Sequence, residues 1–146
     1  MNMKTCGWLM VAGFLFTGLA VAQDLKEEIK KFQGTWKVVH CQTDNANAKE
    51  FDKEIVATWK FTFAKSNFRI DGGKMKMAGT FTIQPDKKPK QIDMISDDPK
   101  EKVTLHAIYE FTQDTLKLRG DERGRPKKFE FGPDSSGFYI VLKKVK

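Results

Sequence analysis

The sequence predicts an all-β domain built from about nine short antiparallel strands behind one short N-terminal helix. Apolar and polar residues alternate with period two over most of the chain, turn-forming residues punctuate that alternation at regular intervals, and no helical period recurs after the first strand. The 146 residues, 40% hydrophobic and 31% charged, suit one globular domain and exclude collagen, coiled coil and wholesale disorder. Spacing of this kind suits a sandwich or an up-and-down barrel, and the absence of intervening helices argues against a parallel sheet.

The chain opens with Lys4 in a short polar start, a mostly apolar run from Trp8 to Leu19, and Ala20-Val21-Ala22, the small-x-small pattern cut by signal peptidase. Residues 1–22 therefore read as a signal peptide and 23–146 as the mature domain, exported to the periplasm or the extracellular space. The run is shorter than the roughly 20 apolar residues that span a bilayer comfortably, so no stable membrane anchor is expected. Cleavage removes Lys4 and Cys6 and lowers the net charge from +7 to +6. Cys41 is then unpaired and reads as a small buried hydrophobe, leaving the core to hold the domain together without a disulfide.

From Asp24 to Phe32, the residues Leu25, Ile29 and Phe32 recur at i, i+4 and i+7 with charged residues between them, which predicts a single short amphipathic helix capped by Asp24 and ended by Gly34. The first strand follows through Trp36 and Val38. Ile55, Ala57, Trp59, Phe61 and Phe63 then share one face opposite Thr58, Lys60 and Thr62. The same alternation recurs over Phe68-Ile70, Met75–Ile83, Ile92–Met94, Leu105–Phe111, Leu116–Leu118, Phe129–Phe131 and Phe138–Leu142. Asp71-Gly72-Gly73, Lys87-Lys88-Pro89, Asp97-Asp98-Pro99, Gln113-Asp114, Gly120 to Gly124 and Gly132-Pro133 supply turn chemistry between the runs.

Gly34-Thr35-Trp36, directly after the short helix, resembles the G-x-W that opens a lipocalin. With Gly79-Thr80-Phe81, Lys88-Pro89-Lys90-Gln91-Ile92-Asp93, Ile108-Tyr109-Glu110, Asp114-Thr115-Leu116-Lys117 and Arg125-Pro126-Lys127-Lys128-Phe129, the chain resembles a lipocalin-like domain family of unknown function abundant in planctomycete genomes. The resemblance covers about Leu25 to Lys143 and implies an antiparallel lipocalin-like barrel of about eight strands, closed at one end by the helix. In lipocalins the G-x-W tryptophan packs under the barrel against an arginine from late in the chain. The resemblance gives Gly34 and Trp36 the first part and Arg125 the second, with Arg119 behind it. The T-D-Y segment of secreted lipocalins is missing.

An eight-stranded barrel is just wide enough to be filled by side chains or to hold one small ligand. Two functions of different kinds follow. The first is a carrier of a small hydrophobic molecule in a pocket opposite Trp36, lined by Trp59, Phe61, Met77, Tyr109 and Phe111. The second is a filled barrel serving as a scaffold for a protein partner or an acidic envelope polymer, bound through loops and the lysines of Lys87-Lys88, Lys90, Lys127-Lys128, Lys143-Lys144 and Lys146.

Catalytic constellations are not expected. By parity His40 points inward with Trp36 and Val38, Cys41 points away from it, and His106 points outward, so no metal-ligand set converges. Ser66, Ser96, Ser135 and Ser136 lack a nucleophile elbow, and Asp97-Asp98 and Asp121-Glu122 read as solvated loop acids. Gly72-Gly73 has no phosphate-loop context, so no nucleotide or other cofactor is expected. Arg119-Gly120-Asp121 spells an adhesion tripeptide by coincidence in a turn, and no nucleic-acid signature accompanies the lysines.

Overall fold

A computed structural model describes residues 17–43, 53–121, 123–131 and 136–146. Most of the leader run, with Cys6, lies outside the described residues, as do Glu122, the Gly132-Pro133 turn and Ser135. The chain order is α1 (Thr17–Phe32), β1 (Gly34–Thr43), α2 (Lys53–Val56), β2 (Lys60–Ala64), β3 (Asn67–Gly72), β4 (Met75–Gln84), β5 (Lys90–Ser96), β6 (Thr104–Thr112), β7 (Thr115–Asp121) and β8 (Phe138–Lys144). The eight strands form one antiparallel meander, and β8 pairs back onto β1 to close a lipocalin-like barrel. No helix among the described residues is long and apolar enough to cross a membrane.

The alternation places the core where the sequence expects it. Val38, Phe61, Phe63, Ile70, Phe81, Ile92, Met94, Tyr109, Leu116, Leu118 and Leu142 all point inward and are buried. Burying an aliphatic or aromatic side chain contributes roughly 1.5–3 kcal/mol, so these residues support a fold with no disulfide.

Helix α1 is longer than its expected span. It begins at Thr17 and runs unbroken through Ala20-Val21-Ala22, so Asp24 lies inside it and does not cap it. Alanine and leucine favour helix, and the one glycine between Thr17 and Asp24, Gly18, falls in the first turn. Its C-terminal end is fixed by three devices. Lys30 and Lys31 occupy the last turn, where the helix dipole favours cations. Gly34 takes φ +111°, a backbone conformation that a side chain would strain. Gln33 donates to Ile29 O and Lys65 O at 3.1 and 3.0 Å and accepts from Lys65 N at 2.6 Å, clasping the helix to the β2–β3 turn.

Two expected strand segments take other forms. The run from Ile55 to Trp59 is not strand. Val56 is buried at the end of α2, Ile55 is 55% exposed, and β2 begins only at Lys60. Backbone bonds Thr58 N to Ile55 O and Trp59 N to Val56 O turn the chain there instead. Phe129 and Phe131 alternate as a strand would, yet they lie in an irregular connection between β7 and β8 that crosses the outside of the barrel. Among the described residues eight strands therefore form where the alternation suggests nine.

That connection works as a strap. Arg119, outward on β7, donates to Lys128 O and Glu130 O, and its guanidinium lies 4.5 Å from the Phe131 ring centroid. Phe129 meets Tyr139 of β8 edge to face at 6.4 Å. Arg125 reaches further round to β5 and β6. Beside Arg119 in the register, Ile108 also faces outward but is fully buried. The strap thus gives the β5–β8 wall a second, outer layer of packing. Arg119-Gly120-Asp121 lies buried within β7 and not in a turn, so it presents no accessible tripeptide.

Candidate functional site

The end of the barrel under α1 is built around Phe32 and Trp36. Phe32 is fully buried and meets Phe63, Phe81, Tyr109 and Phe111 at centroid distances of 5.4, 5.5, 5.0 and 4.8 Å. Most of these contacts are edge to face, the arrangement favoured by the aromatic quadrupole. Trp36 Nε1 donates to Phe32 O at 2.7 Å, which satisfies a buried donor and one of the last helical carbonyls.

A buried carboxylate completes this end. Glu28 is 5% exposed; its Oε1 accepts from Lys90 Nζ at 2.7 Å and from the Tyr109 hydroxyl at 3.2 Å, and its Oε2 accepts from Lys31 Nζ at 2.6 Å. Burial pushes the Glu28 carboxyl upward, but the two ammonium groups outweigh it and hold it below the ordinary glutamate range. Burial, followed by the charge and hydrogen bond of Glu28, pushes the Tyr109 hydroxyl far above the usual phenol range.

Sequence reasoning missed Glu28, though a signal was present. Leu25, Glu28, Ile29 and Phe32 stand at i, i+3, i+4 and i+7, so the acid sits on the apolar stripe of the helix. An inward tyrosine also needs a hydrogen-bond partner.

The cation over the G-x-W tryptophan is Lys144, not Arg125. Lys144 Nζ lies 5.3 Å from the Trp36 ring and 3.5 Å from Lys31 O, so one ammonium covers the indole and caps the helix C-terminus. Lys144 pairs with Trp36 in the register, whereas the strap holds Arg125 against the outside of β5 and β6. There Arg125 donates to Ile92 O, Ala107 O and Asp93 Oδ1 at 3.3, 2.8 and 2.6 Å. Asp93 Oδ1 also meets His106 Nδ1 at 2.8 Å. His106 points outward as expected, on the opposite wall from His40.

His40 and Cys41 exchange their expected sides. The pairing of β1 with β8 slips between Val38 and His40, leaving Val39 as an extra residue. A bulge of this kind reverses the parity beyond it. Cys41 therefore turns into the core beside Ile140, and His40 packs its ring outside against Tyr139 at 5.7 Å. Burial pushes the Cys41 thiol up to about 11.

The five expected lining residues do not converge on one space. Tyr109 and Phe111 sit under α1, Phe111 within 6.0 Å of Trp36. Phe61 is buried between Trp36 and Ile70, its register partners on β1 and β3. Met77 and Trp59 are half-buried towards the other end, where the Trp59 indole covers Gly72. Met75 has inward parity but stands at the rim, 40% exposed. Concave spaces open at the ends of the barrel. One of about 590 Å³ lies between α1 and the β4–β5 hairpin, lined by Leu25, Glu28, Ile83, Pro85 and Lys90 among others. Another of about 640 Å³ lies between the start of β4 and the β5–β6 loop and is mostly polar. Ser96 belongs to the second, where its hydroxyl accepts from Asp98 N at 3.1 Å in a turn.

Comparisons with protein-family models, with curated proteins and with solved structures found no match to this chain.

Proposed function

We propose that this chain is an exported, non-catalytic lipocalin-like protein that binds through its outer surface, its barrel interior serving as structural core. The observation that carries this reading is the filling of the interior. Phe32, Trp36, Phe63, Ile92, Met94, Tyr109, Leu116, Leu118 and Leu142 are each no more than 1% exposed, and they extend from the helix-capped end through the middle of the barrel. A small-molecule site needs several hundred cubic ångströms of concave space. Spaces of that size open at the two ends of the barrel, away from this filled middle. Export is supported by the leader pattern of residues 1–22.

Native mass spectrometry of the protein purified gently from its own host tests both parts. A mass beginning at Gln23, free of adduct and unchanged after incubation with a lipid extract, is the expected result. A reproducible small-molecule adduct released on denaturation overturns the surface reading, and an uncleaved N-terminus overturns export.

A carrier of a small hydrophobic molecule is the second reading, and the groove beside α1 favours it over any interior site. Leu25, Ile83 and Pro85 offer an apolar floor there, and Glu28 with Lys90 offers a polar end. An adduct lost on Leu25→Glu substitution and kept on Met77→Ala substitution would place the ligand in this groove.

A further inference from the structure

The two halves of the barrel wall differ in charge and in covering. On the outer face of β5, β6 and β7, acids and bases alternate and the strap lies across them. On the outer face of β8, β1, β2, β3 and β4 the charged strand positions are Lys143, Lys37, Lys60, Arg69, Lys76 and a single acid, Asp71. Lys37 is central. The register sets it directly opposite Lys60 on one side and Lys143 on the other. Strands lie about 4.8 Å apart, so three ammonium groups form a row about 10 Å long. Like charges directly opposite one another oppose folding. Of the three, Lys143 pairs with Asp114 at 3.7 Å and Lys60 stands opposite Asp71 in the register, while among the described residues neither Lys37 nor Lys60 comes within ion-pair distance of an acid. Next to the row, Lys37, Lys143, Lys144, Lys146 and Asp114 line a shallow hollow of about 290 Å³.

We propose that this basic wall binds an extended carboxylated polysaccharide, the lysine row engaging successive carboxylates along the chain. The inference rests on the outer-surface reading above and gives it a partner. Charge complementarity supplies the attraction. The uncharged positions around the row select the class of polymer. Thr35 and Thr62 face each other, Asn67 faces Thr80, and these hydroxyl and amide groups match a hydroxyl-rich chain. Binding of single-stranded nucleic acid relies on exposed aromatic rings on which bases stack. Among the described residues the aromatic groups at strand positions on this wall are His40 and Tyr139, which pack on each other, Tyr139 also meeting Phe129 of the strap.

The test is isothermal titration of the purified protein with polygalacturonate, at low and at physiological salt. The triple variant Lys37→Gln, Lys60→Gln, Lys143→Gln is compared with a control triple, Lys26→Gln, Lys100→Gln, Lys102→Gln, which removes the same charge from exposed positions elsewhere. The expected result is binding that weakens with salt, at least tenfold loss in the wall variant and less than twofold loss in the control. The wall variant should also melt at the same or a higher temperature, since the repulsion is relieved, which separates loss of binding from loss of fold.

Equal losses in the two variants would reduce the effect to net charge and overturn the assignment. Tighter binding of a single-stranded oligonucleotide of equal charge would overturn the polysaccharide as partner. Failure of the parent protein to bind polygalacturonate would overturn this inference alone, whereas a small-molecule adduct in the mass spectrum overturns the reading beneath it.

Discussion

Glu28 and Tyr109 stand 81 residues apart in sequence and meet at 3.2 Å, phenol donating to carboxylate, where the helix enters the barrel. Lys90 approaches the same oxygen at 2.7 Å, so one acid joins α1 to β5 and β6. The helix is thereby oriented by a polar contact and buried by an aromatic one.

Replacing Glu28 by Gln should destabilise the protein by about 1.5–3 kcal/mol, the usual worth of hydrogen bonds to a charged group. The folded state holds this carboxyl below its unfolded value, so its contribution is complete above the ordinary glutamate pKa of about 4.3 and disappears as pH falls through the folded value. Denaturant unfolding followed between neutral pH and about pH 3 should show a shallower acid decline in Glu28→Gln than in the parent. An equally steep decline would remove Glu28 from this role.

Phe32→Ala should cost about 3–5 kcal/mol, the range for deleting a buried aromatic side chain. Phe32 touches four rings from three different strands, so the loss should appear as lowered cooperativity at the helix end as well as a lower melting temperature. Hydrogen exchange at β6 and at α1 is the measurement. Protection unchanged at both elements would contradict the hub assignment.

Gly79 and Gly73 should respond differently to alanine. A Cβ at Gly79 would stand 1.9 Å from Ile95 O, a ladder carbonyl that cannot yield without breaking the β4–β5 pairing. Gly79→Ala should therefore cost on the order of 4 kcal/mol or more, among the largest effects of point substitutions. Gly73 has open space around it but takes φ +72°, so Gly73→Ala should cost only about 1–2 kcal/mol. Comparable losses in chemical denaturation would refute the distinction.

Cys41 should be inert in the folded protein. It is buried, and its thiol is pushed up to about 11, so little thiolate forms near neutrality. A maleimide or aromatic disulfide reagent at pH 8 should label it only at the rate of unfolding and completely in denaturant. Rapid labelling under native conditions would mean that β1 opens locally beside β8.

The period-two pattern was legible wherever one side of a strand faces the core, as from Phe61 to Phe63 and from Leu105 to Tyr109. It misled where its physical cause differed. Phe129 and Phe131 alternate because one packs on Tyr139 and the other on Arg119, outside the barrel and without a strand partner. The bulge at Val39 left no local mark, since Val39-His40-Cys41 suits either parity and only pairing with Val141 and Ile140 decides between them. The resemblance to lipocalins correctly implied the barrel, while the cation above the Trp36 ring comes from the last strand and not from the strap. Which lysine would stand opposite which was hidden for the same reason, because register between distant strands is set by the closed sheet.

Closing β8 onto β1 orders the folding of the chain. The other seven strand pairings join neighbours in sequence, five of them through tight turns or short loops, and such hairpins form within microseconds. The seam joins the first strand to the last, and the barrel cannot shut until Phe138–Lys144 has been made. Until then the sheet keeps two free edges, each a template for pairing with another chain, and the finished barrel keeps none. The partly folded chain is thus the form exposed to aggregation, and the single long-range step that completes the fold also ends that exposure.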